Sequence, residues 1–308
     1  MSNFIRLIRF PNLVIIALTM CLLQYGVLVA TIKNVVLSHT TFLLVILYTI
    51  FIAAAGNIIN DIRDIEIDKM NKKVEKQLVG RIYTEGVAWQ LYFMFNILSL
   101  IIALYAAFYN QNKILIYTYP FVVGLLYLYS TYFKKLPLIG NIIIALLCAY
   151  VPVLLFGLQT NHDFRGAIID DNIKIIFIGY TVFAFLSTLF REIIKDIEDI
   201  EGDRQNCCRT LPIVVGIKGS KIVVFIVGFT LLLSAVFFSV ILMVHPENIG
   251  REGADKIILL NLFISIPIIY ALYKLIMAEE KKDFTYLSKL SKWIMLGGII
   301  FIIIMAIK

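Results

Sequence analysis

Residues 60–68 read NDIRDIEID, and residues 195–203 read KDIEDIEGD. Six of the nine aligned positions are identical, and both copies spell D-x-x-D-x-x-x-D. The first copy supplies Asp61, Asp64 and Asp68; the second supplies Asp196, Asp199 and Asp203. Spacing of i, i+3 and i+7 puts three carboxylates on one stripe of an α-helix. Asn60 joins the first stripe, four residues before Asp64. Like charges so placed repel by about 0.2–0.5 kcal/mol per pair even when exposed, so the pattern calls for a cation. A single acidic cluster reads as a solvated helix end; a second copy in matched register does not. Oxygen-only ligands suit Mg²⁺, which keeps several waters and is held by one or two carboxylates plus substrate phosphates. Two facing helix ends of this kind would bridge Mg²⁺ to a diphosphate. Lys72, Lys73, Lys76, Arg81, Lys134, Lys135, Arg204 and Arg209 lie near enough in sequence to neutralise the remaining charge. Zinc fits poorly: Cys207 and Cys208 are adjacent without ligand spacing, and His39, His162 and His245 are dispersed. The absence of a GxxxxGK[ST] loop argues against a nucleoside triphosphate.

The elements that carry these motifs are apolar. The chain has 308 residues, 60% of them hydrophobic and 16% charged, with a mean hydropathy of +0.89. Charge-free runs fall at 12–32, 40–59, 87–109, 114–133, 136–158, 175–190, 222–244, 257–273 and 293–307. A membrane-crossing helix needs about 20 such residues. The sixth and ninth runs are short and must extend past Lys174 and Lys292, whose stems can snorkel. The first run is too long for a signal-peptide core and lacks a small-x-small cleavage site, so it reads as a retained span. The expectation is an all-α integral membrane protein: one nine-helix bundle, a single domain over 1–308. The copies at 60–68 and 196–203 mark a pseudo-repeat of about four spans.

With the amino terminus inside, 21 of the 28 Lys and Arg residues fall on the cytoplasmic side. That bias orients the bundle in a plasma (inner) membrane and places both acidic motifs at the cytoplasm. It also accounts for the net charge of +7 without a nucleic-acid partner. Four cysteines, two within spans and two adjacent in a cytoplasmic loop, make no disulfide framework.

The residues resemble the UbiA superfamily of intramembrane prenyltransferases. Asn60-Asp61-x-x-Asp64-x-x-x-Asp68 after the second span looks like its first motif, and Asp196-x-x-Asp199-x-x-x-Asp203 after the sixth like its second. RFPN (Arg9–Asn12), YSTYFKKLPLIGN (Tyr129–Asn141) and RTLP (Arg209–Pro212) are similar to further family stretches. The resemblance implies a lipid-open central cavity under cytoplasmic cap loops, and Mg²⁺-dependent transfer of an isoprenyl group from its diphosphate to a lipophilic acceptor. It implies metal ligation by Asn60, Asp61, Asp64, Asp68, Asp196, Asp199 and Asp203, with Asp64, Asp68, Asp199 and Asp203 essential for catalysis. Diphosphate contacts would come from Asn60, and from Arg9 and Lys134 where the family places cations; Lys72 and Arg209 of the nearby basic loops are further candidates. Two stretches depart from the family's wording: NKKVEKQLVG (Asn71–Gly80) lacks the usual prolines, and Cys207 stands where glycine is common.

The wording REIIKDIEDIEGD (Arg191–Asp203) resembles most the branch that adds a second geranylgeranyl chain to geranylgeranylglyceryl phosphate, an ether-lipid precursor. Relatives instead prenylate dihydroxynaphthoate, hydroxybenzoate or homogentisate. A cation-coupled transporter remains as a reading of another class, since paired acidic repeats also build ion sites. Transporter sites sit near the midplane on broken helices, whereas these carboxylates cluster at helix ends beside basic loops.

Overall fold

The computed structural model describes residues 3–29, 37–65, 77–109, 113–160, 171–244 and 253–306. Asp68 and Lys72, both expected at the site, lie outside them, as do Lys69, Lys73 and Lys76. Among the described residues nine helices are long and apolar enough to cross a membrane: span 1 Phe10–Leu28, span 2 His39–Arg63, span 3 Glu85–Tyr109, span 4 Ile114–Thr131, span 5 Ile139–Gln159, span 6 Ile173–Glu198, span 7 Leu211–Val244, span 8 Ala254–Met277 and span 9 Lys281–Ile303. Only an isolated Val79–Tyr83 bridge departs from helix, turn and bend pairing there.

Span 6 corrects the run-based reading. Counting charge-free residues ends it at Phe190, yet the helix continues to Glu198, so Arg191, Glu192, Lys195 and Asp196 belong to the span itself. Leu189, Phe190, Ile193, Ile194 and Ile197 are buried on one face, and that apolar stripe carries the helix through its charged turns. Span 7 is broken near its start by Gly216 at φ 75°, a left-handed conformation that glycine adopts without Cβ strain.

Spans 2 and 3 pack together closely, and so do spans 6 and 7; span 6 also lies against spans 5 and 9. Each motif-bearing helix therefore packs on its successor in the chain. Two apolar clusters dominate, one chiefly from spans 1, 2, 4 and 5, the other from spans 6 to 9. A smaller one at the ends of spans 1, 2 and 3 backs the first motif with Ile58, Ile59, Ile62 and Ile65. Exposed Phe93, Ile97, Ile101, Phe108, Tyr117, Phe121, Phe237 and Met243 clothe the outside. A bundle so clothed suits lipid, where helices satisfy their own backbone groups.

Candidate active site

The first motif closes span 2. The helix ends at Arg63, and Asp64 caps it, its N–H donating to the Asn60 carbonyl at 3.0 Å. Asn60 Nδ2 donates to Asp64 Oδ2 at 3.1 Å, which holds the amide and the carboxylate side by side. The Lys134 ammonium enters between them, ion-paired to Asp64 Oδ1 and 3.4 Å from Asn60 Oδ1. Asp61 points elsewhere and meets Arg9 Nη2 at 3.3 Å. Arg9 sits at φ 52° in the turn before span 1. Asn57 steadies that turn by donating to the Ile8 carbonyl at 3.0 Å. Arg63, on the far side of the helix, lies over the rings of Trp89 and Tyr127 and donates to the Tyr127 hydroxyl. That clamp ties the end of span 2 to spans 3 and 4.

Lys134 is placed by a 3₁₀ turn, Phe133–Lys135, between spans 4 and 5. The turn packs on Gly140: a Cβ there would lie 2.8 Å from the Phe133 carbonyl oxygen and 2.9 Å from Lys134 Cα. One residue on, Asn141 Nδ2 donates to Asp196 Oδ2 at 2.8 Å. So one short connection serves both motifs.

The second motif straddles a break. Span 6 ends at Glu198, Asp199 takes φ −96° and ψ 7°, and a short helix runs Ile200–Gln205. The Asp203 N–H still donates to the Asp199 carbonyl at 3.0 Å, so the stripe of Asp196, Asp199 and Asp203 persists across the break. Thr210 Oγ1 donates to Asp203 Oδ2 at 3.0 Å. The Arg209 N–H reaches the Lys135 carbonyl at 2.8 Å, docking this loop on the turn that carries Lys134. The Arg209 side chain is exposed.

The two motifs face one another. The Cys208 thiol lies within electrostatic reach of Asp203 and of Asp64, Lys134 and Lys135; burial pushes its pKa up, the two carboxylates push it further, and the two lysines oppose them. Tyr129 of span 4 is half-buried, with Asp196, Asp64, Glu192 and Arg9 all around it. Below it Cys148 of span 5 is exposed yet faces Thr188, Arg191 and Glu192 of span 6. Tyr180 in turn neighbours Cys148 and Thr19. Cys148 thus offers an accessible thiol on span 5 beside span 6.

Asn60, Asp64, Asp61, Asp196, Asp199 and Asp203 thus come to one end of the bundle with Arg9 and Lys134. Asp61, expected as a metal ligand, pairs with Arg9, because the turn before span 1 folds back over span 2. The residues fit a divalent cation by chemistry: hard oxygens from an amide and carboxylates, with an ammonium already lodged between Asn60 and Asp64 where positive charge is favoured. Among the described residues no three Asp, Glu, His or Cys side chains yet converge on one point. Asn141, Thr210 and Tyr129 were not singled out by sequence reading. Their signal was present, since Asn141 closes the YSTYFKKLPLIGN run and Thr210 lies in RTLP.

Comparison with known proteins decides the family. The profile of the UbiA prenyltransferase family matches residues 13–293. The chain belongs to this family. Among UbiA relatives, a digeranylgeranylglyceryl phosphate synthase of Pyrococcus horikoshii is 36% identical over 63% of each chain. The corresponding synthase of Methanocaldococcus jannaschii is 32% identical over 86% of this chain and 84% of its own. In the matches to the Pyrococcus horikoshii and Sulfolobus acidocaldarius relatives the chain spans 63% and 60% of their length. A solved digeranylgeranylglyceryl phosphate synthase structure superposes with TM-score 0.67, at 27% identity over 99% of this chain and 98% of that one. A UbiA homolog from Archaeoglobus fulgidus bound to GPP and Mg²⁺ shares the fold, with TM-score 0.58 at 17% identity. A family of membrane prenyltransferases and nine apolar helices make this an integral, multi-pass membrane protein.

Proposed function

We propose that this chain transfers a geranylgeranyl group from its diphosphate to geranylgeranylglyceryl phosphate, making a second ether bond. The observation that carries this reading is the meeting of Asn60, Asp64 and Lys134 with Asp196, Asp199 and Asp203 at one end of a bundle of apolar helices. The names of the relatives support the acceptor. The Archaeoglobus fulgidus homolog, which binds GPP together with Mg²⁺, supports an allylic diphosphate donor and a divalent ion.

In this reading one divalent ion or more, Mg²⁺ by the donor set, would be held by Asn60, Asp64, Asp68, Asp196, Asp199 and Asp203 and would neutralise charge as it develops on the departing diphosphate. Lys134 and Arg9 sit beside the motifs to bind the donor's phosphate oxygens by charge-assisted hydrogen bonds, with Lys72 and Arg209 as further candidates from the loops. Tyr129 and Tyr180 offer ring faces to the allylic carbon as it loses its bond to oxygen. The surrounding helices exclude water from that carbon and take up its tail. The positive-inside bias supports a site at the cytoplasmic face of the plasma membrane, with the whole chain acting as one domain.

The test is competition with purified protein and Mg²⁺. Geranylgeranyl diphosphate is offered with geranylgeranylglyceryl phosphate and dihydroxynaphthoate together, and products are identified by mass. The ether lipid is the expected product; prenylated naphthoate alone overturns the acceptor while leaving prenyl transfer intact. Release of no diphosphate from any prenyl donor overturns the reading altogether.

A further inference from the structure

The four-span repeat is not symmetric below the motifs. Shifted by the same offset, Glu192 aligns with Asn57 and Arg191 with Gly56. Asn57 has a structural task, holding the Ile8 carbonyl. Arg191 and Glu192 instead pair with one another inside span 6, their side chains 21% and 15% exposed. Neighbours at i and i+1 on a helix do not naturally face each other, so the two side chains bend toward one another to pair. Ionisable groups at membrane depth are expensive and mark function by default. Beside them the buried hydroxyl of Thr188, near the Cys148 thiol, has no hydrogen-bond partner.

Depth gives the pair its meaning. Thr188, Glu192 and Asp196 share one stripe of span 6, which Asp199 continues just past the helix end. Glu192 therefore lies one turn, about 6 Å, further from the helix end than Asp196. Glu192, Asp196 and Asp64 all lie within electrostatic reach of Tyr129. A donor whose phosphates lie at the motifs places its first carbon on the apolar side of them, at the level of Glu192.

Resting on the proposed prenyl transfer, we infer that Glu192, neutralised by Arg191, receives the acceptor's alcohol. Its carboxylate accepts the hydroxyl hydrogen bond and takes the proton as the acceptor oxygen bonds to the allylic carbon. The carbon–oxygen bond to diphosphate breaks with its electron pair leaving on the diphosphate. The proton later returns to solvent from Glu192. Carboxylate, carbon and nucleophile then lie within hydrogen-bond reach of one another, and the motif carboxylates are left to the donor.

The experiment separates donor activation from acceptor capture. Full-length protein and the Glu192→Gln variant are given Mg²⁺ and geranylgeranyl diphosphate, with and without geranylgeranylglyceryl phosphate. Diphosphate, ether lipid and geranylgeraniol are all measured. The variant is expected to lose at least about 100-fold in ether formation, to release diphosphate within about threefold of the parent without acceptor, and to divert product to geranylgeraniol. Glu192→Asp should recover part of the ether. Should the single variant fail to fold, Arg191→Gln with Glu192→Gln removes both charges and leaves none unpaired; the same diversion is expected. Full ether formation in these variants overturns the inference. So does an equal loss of diphosphate release, which would assign Glu192 to the donor site. A parent protein that releases no diphosphate instead defeats the underlying prenyltransferase reading.

Discussion

At the scale of single residues, four motif carboxylates are held by different groups: Asp61 by Arg9, Asp64 by Lys134 and Asn60, Asp196 by Asn141, Asp203 by Thr210. The roles should separate on mutation. Asp64→Ala and Asp203→Ala are expected to lower prenyl transfer by about 10²-fold or more, since each removes charge aimed at the departing diphosphate. Chelation should abolish turnover and Mg²⁺ restore it; full activity in either variant would sink the two-motif site. Asn141→Ala removes only a supporting donor and strands a carboxylate, which costs about 1–3 kcal/mol. It should show first as a lower unfolding midpoint in detergent. Cys208 offers a probe of the same geometry. Burial, with Asp203 and Asp64, raises its thiol above the usual range, so less of the reactive thiolate is present at neutral pH. Alkylation of Cys208 should therefore be slow at pH 7 and quicken as pH rises, ahead of it the exposed Cys207. Equal rates for both thiols at pH 7 would contradict the placement.

At the scale of elements, the connection between spans 4 and 5 does what no single helix does. Its 3₁₀ turn presents Lys134 to the first motif, and the start of span 5 presents Asn141 to the second. Both depend on Gly140, where a Cβ would meet backbone within 3 Å. Gly140→Ala is expected to push the turn aside and raise the KM for the prenyl diphosphate about tenfold, the equivalent of one lost contact of about 1.4 kcal/mol. Gly124→Ala in span 4, where a Cβ meets nothing within 4 Å, should leave KM unchanged. An unchanged KM in the Gly140 variant would mean that the turn does not position Lys134. Span 6 teaches a related point: a helix ends where its buried stripe ends, not at the first charge. Ile193, Ile194 and Ile197 keep the helix seated while Glu192 and Asp196 come within electrostatic reach of Tyr129.

At the scale of the whole molecule, the ends of spans 2, 4 and 6 meet on one face, as the contacts of Lys134 with Asp64 and of Arg209 with Lys135 require. Thr285, at the start of span 9, donates to Glu198 at 3.0 Å and closes the same face. The excess of basic residues there supports the proposal that this face is cytoplasmic. A membrane-impermeant maleimide applied to sealed right-side-out vesicles should leave Cys207 unlabelled, and label it once the inner face is opened. Labelling from outside would invert the topology and carry the active site with it.

Composition, run lengths and the doubled D-x-x-D-x-x-x-D were enough to establish a nine-span helical membrane protein with an acidic site at its helix ends. These are local properties: hydropathy is set residue by residue, and i, i+3, i+7 spacing is a helix's own geometry. Placement across the bundle was not legible. That Lys134 enters between Asn60 and Asp64, that Asp61 turns to Arg9, and that Asn141 of span 5 supports Asp196 all depend on contacts between residues 52 to 74 positions apart. No periodicity reports such separations. The same holds for Glu192, which as sequence is one more charge in a charged run. Only the packing of span 6 in the bundle, against span 5 among others, brings it within reach of Tyr129 and Cys148, because facing is a property of the bundle and not of the helix alone.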